Sequence, residues 1–400
     1  MSHTLWTSAA PALAYRLYEE QWHLSTIATM AIFAVYPIAV VSTLLLFGNL
    51  SDIVGRRAAM LLGVSFSLGG ITLFAAATNL AALFVGRALM GVGVGLSAGP
   101  STAALVDFSP PGRADVASLT ATAAQSIGMA AALLLSGALI EYAPYPTRLS
   151  FVVLAVLLVG LLAAVRRVPR PRVPIAWSHW RPSLPVVPPA GRRPFLIATA
   201  SLTTAYTNGA LLLSLGGHIA HDLIGSPNAL VNAALLTLFP IALGLAGVLA
   251  RGTEPQTLLN RGALGSLVGM TLLAVAIALR SVPIMFAAAA ASGAGYSFQV
   301  SGGLVTLATA SSSKHRGGIV SAALLVAYLA MGSAALLLGL AAAHWGLGAA
   351  VDLGAVTIAS LSAIAWAIAN FKDRSEAGCR AGRLSDRLRQ PRCSVCHTNG

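Results

Sequence analysis

The chain has 400 residues, of which 56% are hydrophobic and only 9% charged, and its mean hydropathy is +0.79. Soluble domains carry about 25% charged residues, so this chain cannot cover a water-facing surface and must live largely in lipid. The net charge of +13 does not signal a nucleic-acid partner, because the basic residues fall in short gaps between apolar runs rather than on one soluble face.

A segment in lipid must satisfy its own backbone, which makes a helix of about 20 apolar residues the spanning unit. The alternating strands of a membrane barrel are absent from the sequence. Residues 1–18 come first; they contain Pro11 and Arg16 and fall short of one span. Eleven full-length spans follow, near 25–47, 59–78, 80–105, 116–140, 149–165, 195–217, 229–250, 263–279, 282–307, 317–343 and 349–371. The prediction is an all-α, polytopic membrane protein. "RRVPRPRVPIAWSHWRPSLPVVPPAGRRP", residues 166–194, is too proline-rich for a helix and reads as an extended linker. The expected organisation is an N-terminal helical bundle (1–165), the linker (166–194), a C-terminal bundle (195–371) and a basic tail (372–400).

The gaps orient the chain. The gap around residues 48–58 and every second gap after it hold 2, 1, 7, 2, 2 and 7 Lys and Arg, the last being the tail. The alternate gaps hold only Arg148 and Arg280, with Glu19, Glu20, Glu141 and Asp222 on the same side. Positive residues stay inside, so the linker and the C-terminus are expected in the cytoplasm, and the protein in a cell inner membrane. An internal repeat crosses the linker: Arg113 and Arg316, Ser118 and Ser321, and "AALLL" at 131–135 and 334–338 all share an offset of 203. "GVGVG" at 91–95 falls within two residues of "GAG" at 293–295 at that offset. Two like halves joined by a cytoplasmic linker are a transporter plan.

Two motifs sharpen that plan. "GNLSDIVGRR", residues 48–57, resembles the loop signature G-x-L-x-D-x-x-G-R-R/K of the major facilitator superfamily, through Gly48, Leu50, Asp52, Gly55, Arg56 and Arg57. "GRALMGVGVG", residues 86–95, resembles the fourth-helix pattern R-x-x-x-G-x-G, with Arg87 in place of its buried arginine, and the chain as a whole resembles a bacterial efflux-type member. The resemblance implies two six-helix bundles rocking about a midplane site, with residues 1–18 as an incomplete first helix whose start is missing. It also implies a conformational latch. Asp52 would cap the helix that begins at Gly317, where exposed N–H groups favour an anion. Arg56 or Arg57 would pair with Asp107, while Gly48 and Gly55 permit close approach and a tight turn. The plainer reading of the arginines is topology alone. One departure is clear: "QSIGMAAALLLSGAL" carries Ala132-Leu133 where proton-driven drug antiporters carry Gly-Pro.

Charged and polar residues inside spans are candidates for function. Arg87 either snorkels to the outer interface or faces the cavity as a buried cation, with Glu19, Glu20 and Asp352 as the acids that could respond to it. Tyr206 and Asn208 in "TTAYTNG" and Tyr296 and Gln299 in "GAGYSFQVSGG" are the leading cavity residues, with Gln125, Asn232 and Tyr328 behind them. Helix–helix hydrogen bonding competes with substrate contact for each. Aromatics and amides without clustered charge suit a neutral or amphipathic small molecule, with protons as a candidate coupling ion. No cofactor or metal site is expected. "CSVCH" at 393–397 matches the haem c attachment spacing but lies in a cytoplasmic tail with no domain to wrap a haem.

The expected function is secondary transport by a monomer, more in the direction of export than uptake. One rival is a transport-inactive product lacking part of its first helix. The other is a membrane-embedded enzyme, disfavoured because the eight histidines are placed in loops and tail.

Overall fold

The computed structural model describes residues 1–109, 114–168, 192–310 and 316–370. The first helix is broken. α1 (Ser2–Ala9) and α2 (Ala14–Trp22) are separated by a turn around Pro11. This pair continues to Trp22, four residues beyond the expected end. α3 (Thr26–Phe47) follows, then a five-residue α4 (Leu50–Val54) and the long helices α5 (Arg56–Ala75), α6 (Leu80–Asp107), α7 (Ala114–Tyr142) and α8 (Leu149–Val165). The second half comprises α9 (Arg192–His218), α10 (Ala229–Leu249), α11 (Pro255–Ala278), α12 (Val282–Ala310), α13 (Arg316–Trp345) and α14 (Leu347–Asn370). Nine helices among the described residues are long and apolar enough to cross a membrane. α8 is apolar but has only 17 residues, and α12 has 29 residues with Ser292, Tyr296, Ser297 and Gln299 in its middle. Most of the linker and the tail lie outside the described residues.

Local chemistry sets the helix starts. Ser25, Asn79 and Asn228 cap α3, α6 and α10 by accepting the N–H of Ala28, Ala82 and Val231 at 3.3, 2.9 and 2.9 Å. Pro255 opens α11, where its missing N–H costs nothing. Gly55 joins α4 to α5 at φ +86°, a conformation that strains any residue with a Cβ. Gly48, by contrast, sits at an ordinary helical φ of −59°.

Glycines set the packing. Alternate residues of "GVGVG" face different neighbours in α6. A Cβ on Gly91 would lie 2.6 Å from the Tyr36 carbonyl of α3, and one on Gly93 would lie 2.5 Å from the Gly63 carbonyl of α5. The second half repeats this arrangement: Gly293 abuts Phe239 of α10, while a Cβ on Gly295 would lie 2.6 Å from the Ser266 nitrogen of α11. The weak repeat in sequence is therefore a repeat of helix contacts, made by backbone approach rather than by side-chain identity. The halves meet along two seams, α3 with α13 and α7 with α10.

Candidate functional site

Three tyrosines of the second half gather where the two halves meet. Tyr206 of α9 stacks on Tyr296 of α12 at 5.9 Å between centroids and meets Tyr328 of α13 edge-on at 4.8 Å. Phe239 of α10 closes the group against Tyr296 at 5.5 Å. Tyr36 of α3, from the first half, lies within electrostatic range of all three phenols. The three rings are partly exposed rather than sealed in the core. Aromatic faces with hydroxyl edges and no fixed charge bind ring-shaped neutral solutes by stacking and hydrogen bonding.

The amides named with the tyrosines point elsewhere. Asn208 donates to the Ser292 carbonyl of α12 at 3.4 Å, and its Oδ1 has no partner. Gln299 packs on Gly262 of α11, while its backbone carbonyl accepts from Ser201 at 3.1 Å and its side-chain amide is buried without a partner. Both are buried within the second bundle, so sequence reasoning grouped residues of two different helix faces. Of the second-rank residues, Asn232 donates to the Ser226 carbonyl at 3.1 Å. Asp352 is exposed near the start of α14.

Arg87 does not snorkel; it is fully buried. Its guanidinium donates to the carbonyls of Thr7 at 3.3 Å and Ser8 at 3.1 Å and lies 4.4 Å from the Tyr36 ring centre. Those two carbonyls are the ones the Pro11 break leaves open. Pro11 has no N–H to give Thr7, and the Ala12 N–H turns to Ala9 at 3.0 Å instead of Ser8. A cation at the C-terminal end of a helix is also favoured by the helix dipole. Arg87 thus caps α1 from a neighbouring helix and presents one face to Tyr36.

At the motif end, Arg56 forms an ion pair with Asp107 and donates to the Ala103 carbonyl at 3.0 Å, tying α5 to α6. Arg57 turns the other way and donates to the Val168 carbonyl after α8 at 3.0 Å. The contact expected between Asp52 and the helix holding Gly317 falls outside the described residues, as do the surroundings of both. At the far end, Glu19 of α2 meets His218 of α9 at 3.1 Å, a part-buried contact between halves. Sequence reasoning placed the histidines outside the spans; this one lies inside, because α9 runs on through a π-helical turn, Ile219–Leu223. No proline interrupts "GGHIAHDLIGS" before Pro227, and that continuity was the available signal. Tyr36 was likewise passed over, one aromatic in an apolar helix beside Pro37.

An apolar cleft of 530 Å³ between α9, α13 and α14 is larger than the other described pockets, but its rim includes the exposed Leu337 and Trp345. It does not include the three tyrosines. Among the described residues no group of three or more His, Cys, Asp or Glu comes together.

Long apolar helices in two like halves are the plan of a multi-pass membrane transporter. The sequence profile of the Major Facilitator Superfamily matches residues 1–269, and the chain belongs to that family. It is therefore a secondary transporter rather than an enzyme. No curated protein sequence matches it. Among solved structures it is similar to the nucleoside transporter NupG, with TM-score 0.71 and 14% identity over 92% of this chain and 96% of that one. It is similar to a D-xylose–proton symporter, with TM-score 0.70 and 16% identity over 91% and 95%. A bacterial homologue of the human lysosomal transporter Spinster follows, with TM-score 0.68 and 15% identity over 92% and 93%. At these identities the likeness is one of fold.

Proposed function

We propose that the protein moves a neutral or amphipathic, ring-bearing small molecule across a bacterial inner membrane by alternating access, acting as a monomer. The cluster of Tyr206, Tyr296 and Tyr328, partly exposed and within electrostatic range of Tyr36 in the other half, carries this reading. The tyrosines carry no charge of their own, which suits a neutral or amphipathic solute, and the buried Arg87 cation stacks on the Tyr36 ring. The motif end is cytoplasmic, on the strength of the Lys and Arg distribution between gaps. Protons are the coupling ion, and the direction, carried over from the resemblance to efflux-type members, is export. The two bundles, divided at residues 166–194, are the rocking units.

The test is flux of labelled nucleosides, pentoses and amphipathic aromatic compounds in proteoliposomes of both orientations. The two ring-bearing classes come from the names of the similar structures. Tyr206→Ala should lower flux of a transported compound about tenfold or more, and Tyr206→Phe should leave a substantial part of it, because stacking at about 1 kcal/mol or more per aromatic pair is retained. Equal flux in Tyr206→Ala and the parent would remove the cluster as the binding site. Faster uptake into inside-out vesicles marks export.

A further inference from the structure

The 530 Å³ cleft between α9, α13 and α14 is not used by the tyrosine site. Its α13 wall presents Ala330, Ala334, Leu337, Ala341 and His344, which recur every three or four residues and so share one helix face. Along that wall the cleft is about 21 Å long, at about 1.5 Å of rise per residue. Thr203 and Thr207 of α9 form the floor, and α14 supplies the opposite wall from Leu353 to Leu361. The rim is apolar and open, with Leu337 61% and Trp345 72% exposed. Both lie on a helix long and apolar enough to cross a membrane, where apolar side chains this exposed face lipid.

We propose that this cleft is a seat for one acyl chain of a membrane phospholipid, taken from the leaflet at the far end. Length, width and chemistry each select that occupant. The cleft opens at His344 and Trp345, the last two residues of α13, and ends at Ala330, the midpoint of that helix. It therefore spans one leaflet, half of a hydrocarbon core about 30 Å thick, with the adjoining interface. An exposed tryptophan at its mouth suits the level of the lipid headgroups. A volume of 530 Å³ over that length leaves a section of about 25 Å², a quarter to a third of what a helix about 10–12 Å wide needs. A helix of a second copy does not fit. Water does not suit it either, because a buried water needs about two to four polar partners. Leucine, alanine and isoleucine make up most of the lining. Of the hydroxyls, Thr357 already donates to the Leu353 carbonyl at 2.7 Å, and Thr203 Oγ1 is buried.

The chain completes packing that three helices leave open. Atoms lining an unfilled space lose their contacts on that side, and a hydrocarbon chain restores them. Two of the helices it touches also carry the tyrosines. Thr207 follows Tyr206 directly on α9, and Ala330 is two residues from Tyr328 on α13. Filling the cleft holds α9 and α13 at a fixed spacing, and that spacing sets the edge-on contact of Tyr206 with Tyr328 at 4.8 Å. The lipid stiffens the tyrosine cluster from behind. This consequence, unlike the seat itself, rests on the reading of the tyrosines as the binding site.

The test counts the lipids that stay bound. The full chain is released from nanodiscs of dioleoyl phosphatidylethanolamine and weighed by native mass spectrometry. Ala334→Phe on α13 and Thr357→Phe on α14 fill the cleft from opposite walls. Each should retain one phospholipid fewer than the parent, and having two such variants covers the case in which one fails to fold. Leu264→Phe, at an exposed position on α11 outside the cleft, should leave the count unchanged. Lysophosphatidylethanolamine, which has a single chain, should displace the retained lipid, whereas glycerophosphoethanolamine, which has none, should not. Equal counts in the parent and both filling variants overturn the proposal, and so does displacement by the chainless headgroup. A retained lipid without flux of any solute would sink the transport reading alone; flux with equal lipid counts would sink this inference alone.

Discussion

Arg87 illustrates how a charge deep in a membrane protein is accommodated without a counter-charge. An isolated cation at this depth is costly, and acids were the expected partners. The partners found are two carbonyls freed by Pro11 and the face of Tyr36. Removing the guanidinium should leave both carbonyls buried and unpaired, at about 1–3 kcal/mol each. Arg87→Met should therefore lower the thermal unfolding temperature in detergent. Pro11→Ala restores an N–H within reach of Thr7, so adding it to Arg87→Met should recover part of the loss. Strictly additive effects of the two changes would mean that the guanidinium and the break are not linked.

At the scale of helices, the decisive residues are those without side chains. A Cβ on Gly93 would press on the Gly63 carbonyl at 2.5 Å, and backbone cannot yield as a flexible side chain can. Gly93→Val should cost about 1–3 kcal/mol through overpacking, seen as a lower unfolding temperature. Gly99, on the same helix with nothing within 4 Å of its Cβ position, is the control. Gly99→Ala should be neutral or slightly stabilising, since alanine is the better helix former. The helices themselves were legible because lipid demands long apolar runs, and the expected span 149–165 coincides with α8. The face each residue presents was not. The helices are apolar nearly all round, so no amphipathic stripe separates the Tyr206 face from the Asn208 face of α9. The Glu19–His218 contact joins residues 199 apart, and neither residue type nor spacing announces it. The Arg56–Asp107 pair was anticipated only through a family resemblance, whereas the exposed Asp352 has no such pattern behind it.

At the scale of the whole molecule, alternating access needs a seam that closes tightly at one end while parting at the other. The α7–α10 seam has small residues at both ends. Near the far end, a Cβ on Gly137 would lie 2.8 Å from the Ala229 carbonyl, where Glu141 of α7 also accepts the Ala229 N–H at 2.7 Å. Toward the motif end, a Cβ on Gly247 would lie 2.7 Å from Thr122 Cγ2. A bulky side chain at either glycine acts as a wedge on one end of the rocker. A wedge worth about 1–3 kcal/mol changes the ratio of open to closed far ends by roughly 5- to 150-fold. Spin labels go on Tyr145→Cys and Trp345→Cys, exposed positions at the far end of opposite halves, after Cys379, Cys393 and Cys396 are replaced by serine. Gly137→Leu should lengthen the distance between them, and Gly247→Leu should shorten it or leave it at the closed value. Both should slow net transport, because a cycle that must visit two states is slowed when either is disfavoured. The opposite signs of the distance change carry the argument, since a merely loosened bundle would broaden both distributions alike. Equal lengthening in the two variants would mean that the halves separate as a whole, and the rocking description would fail with it.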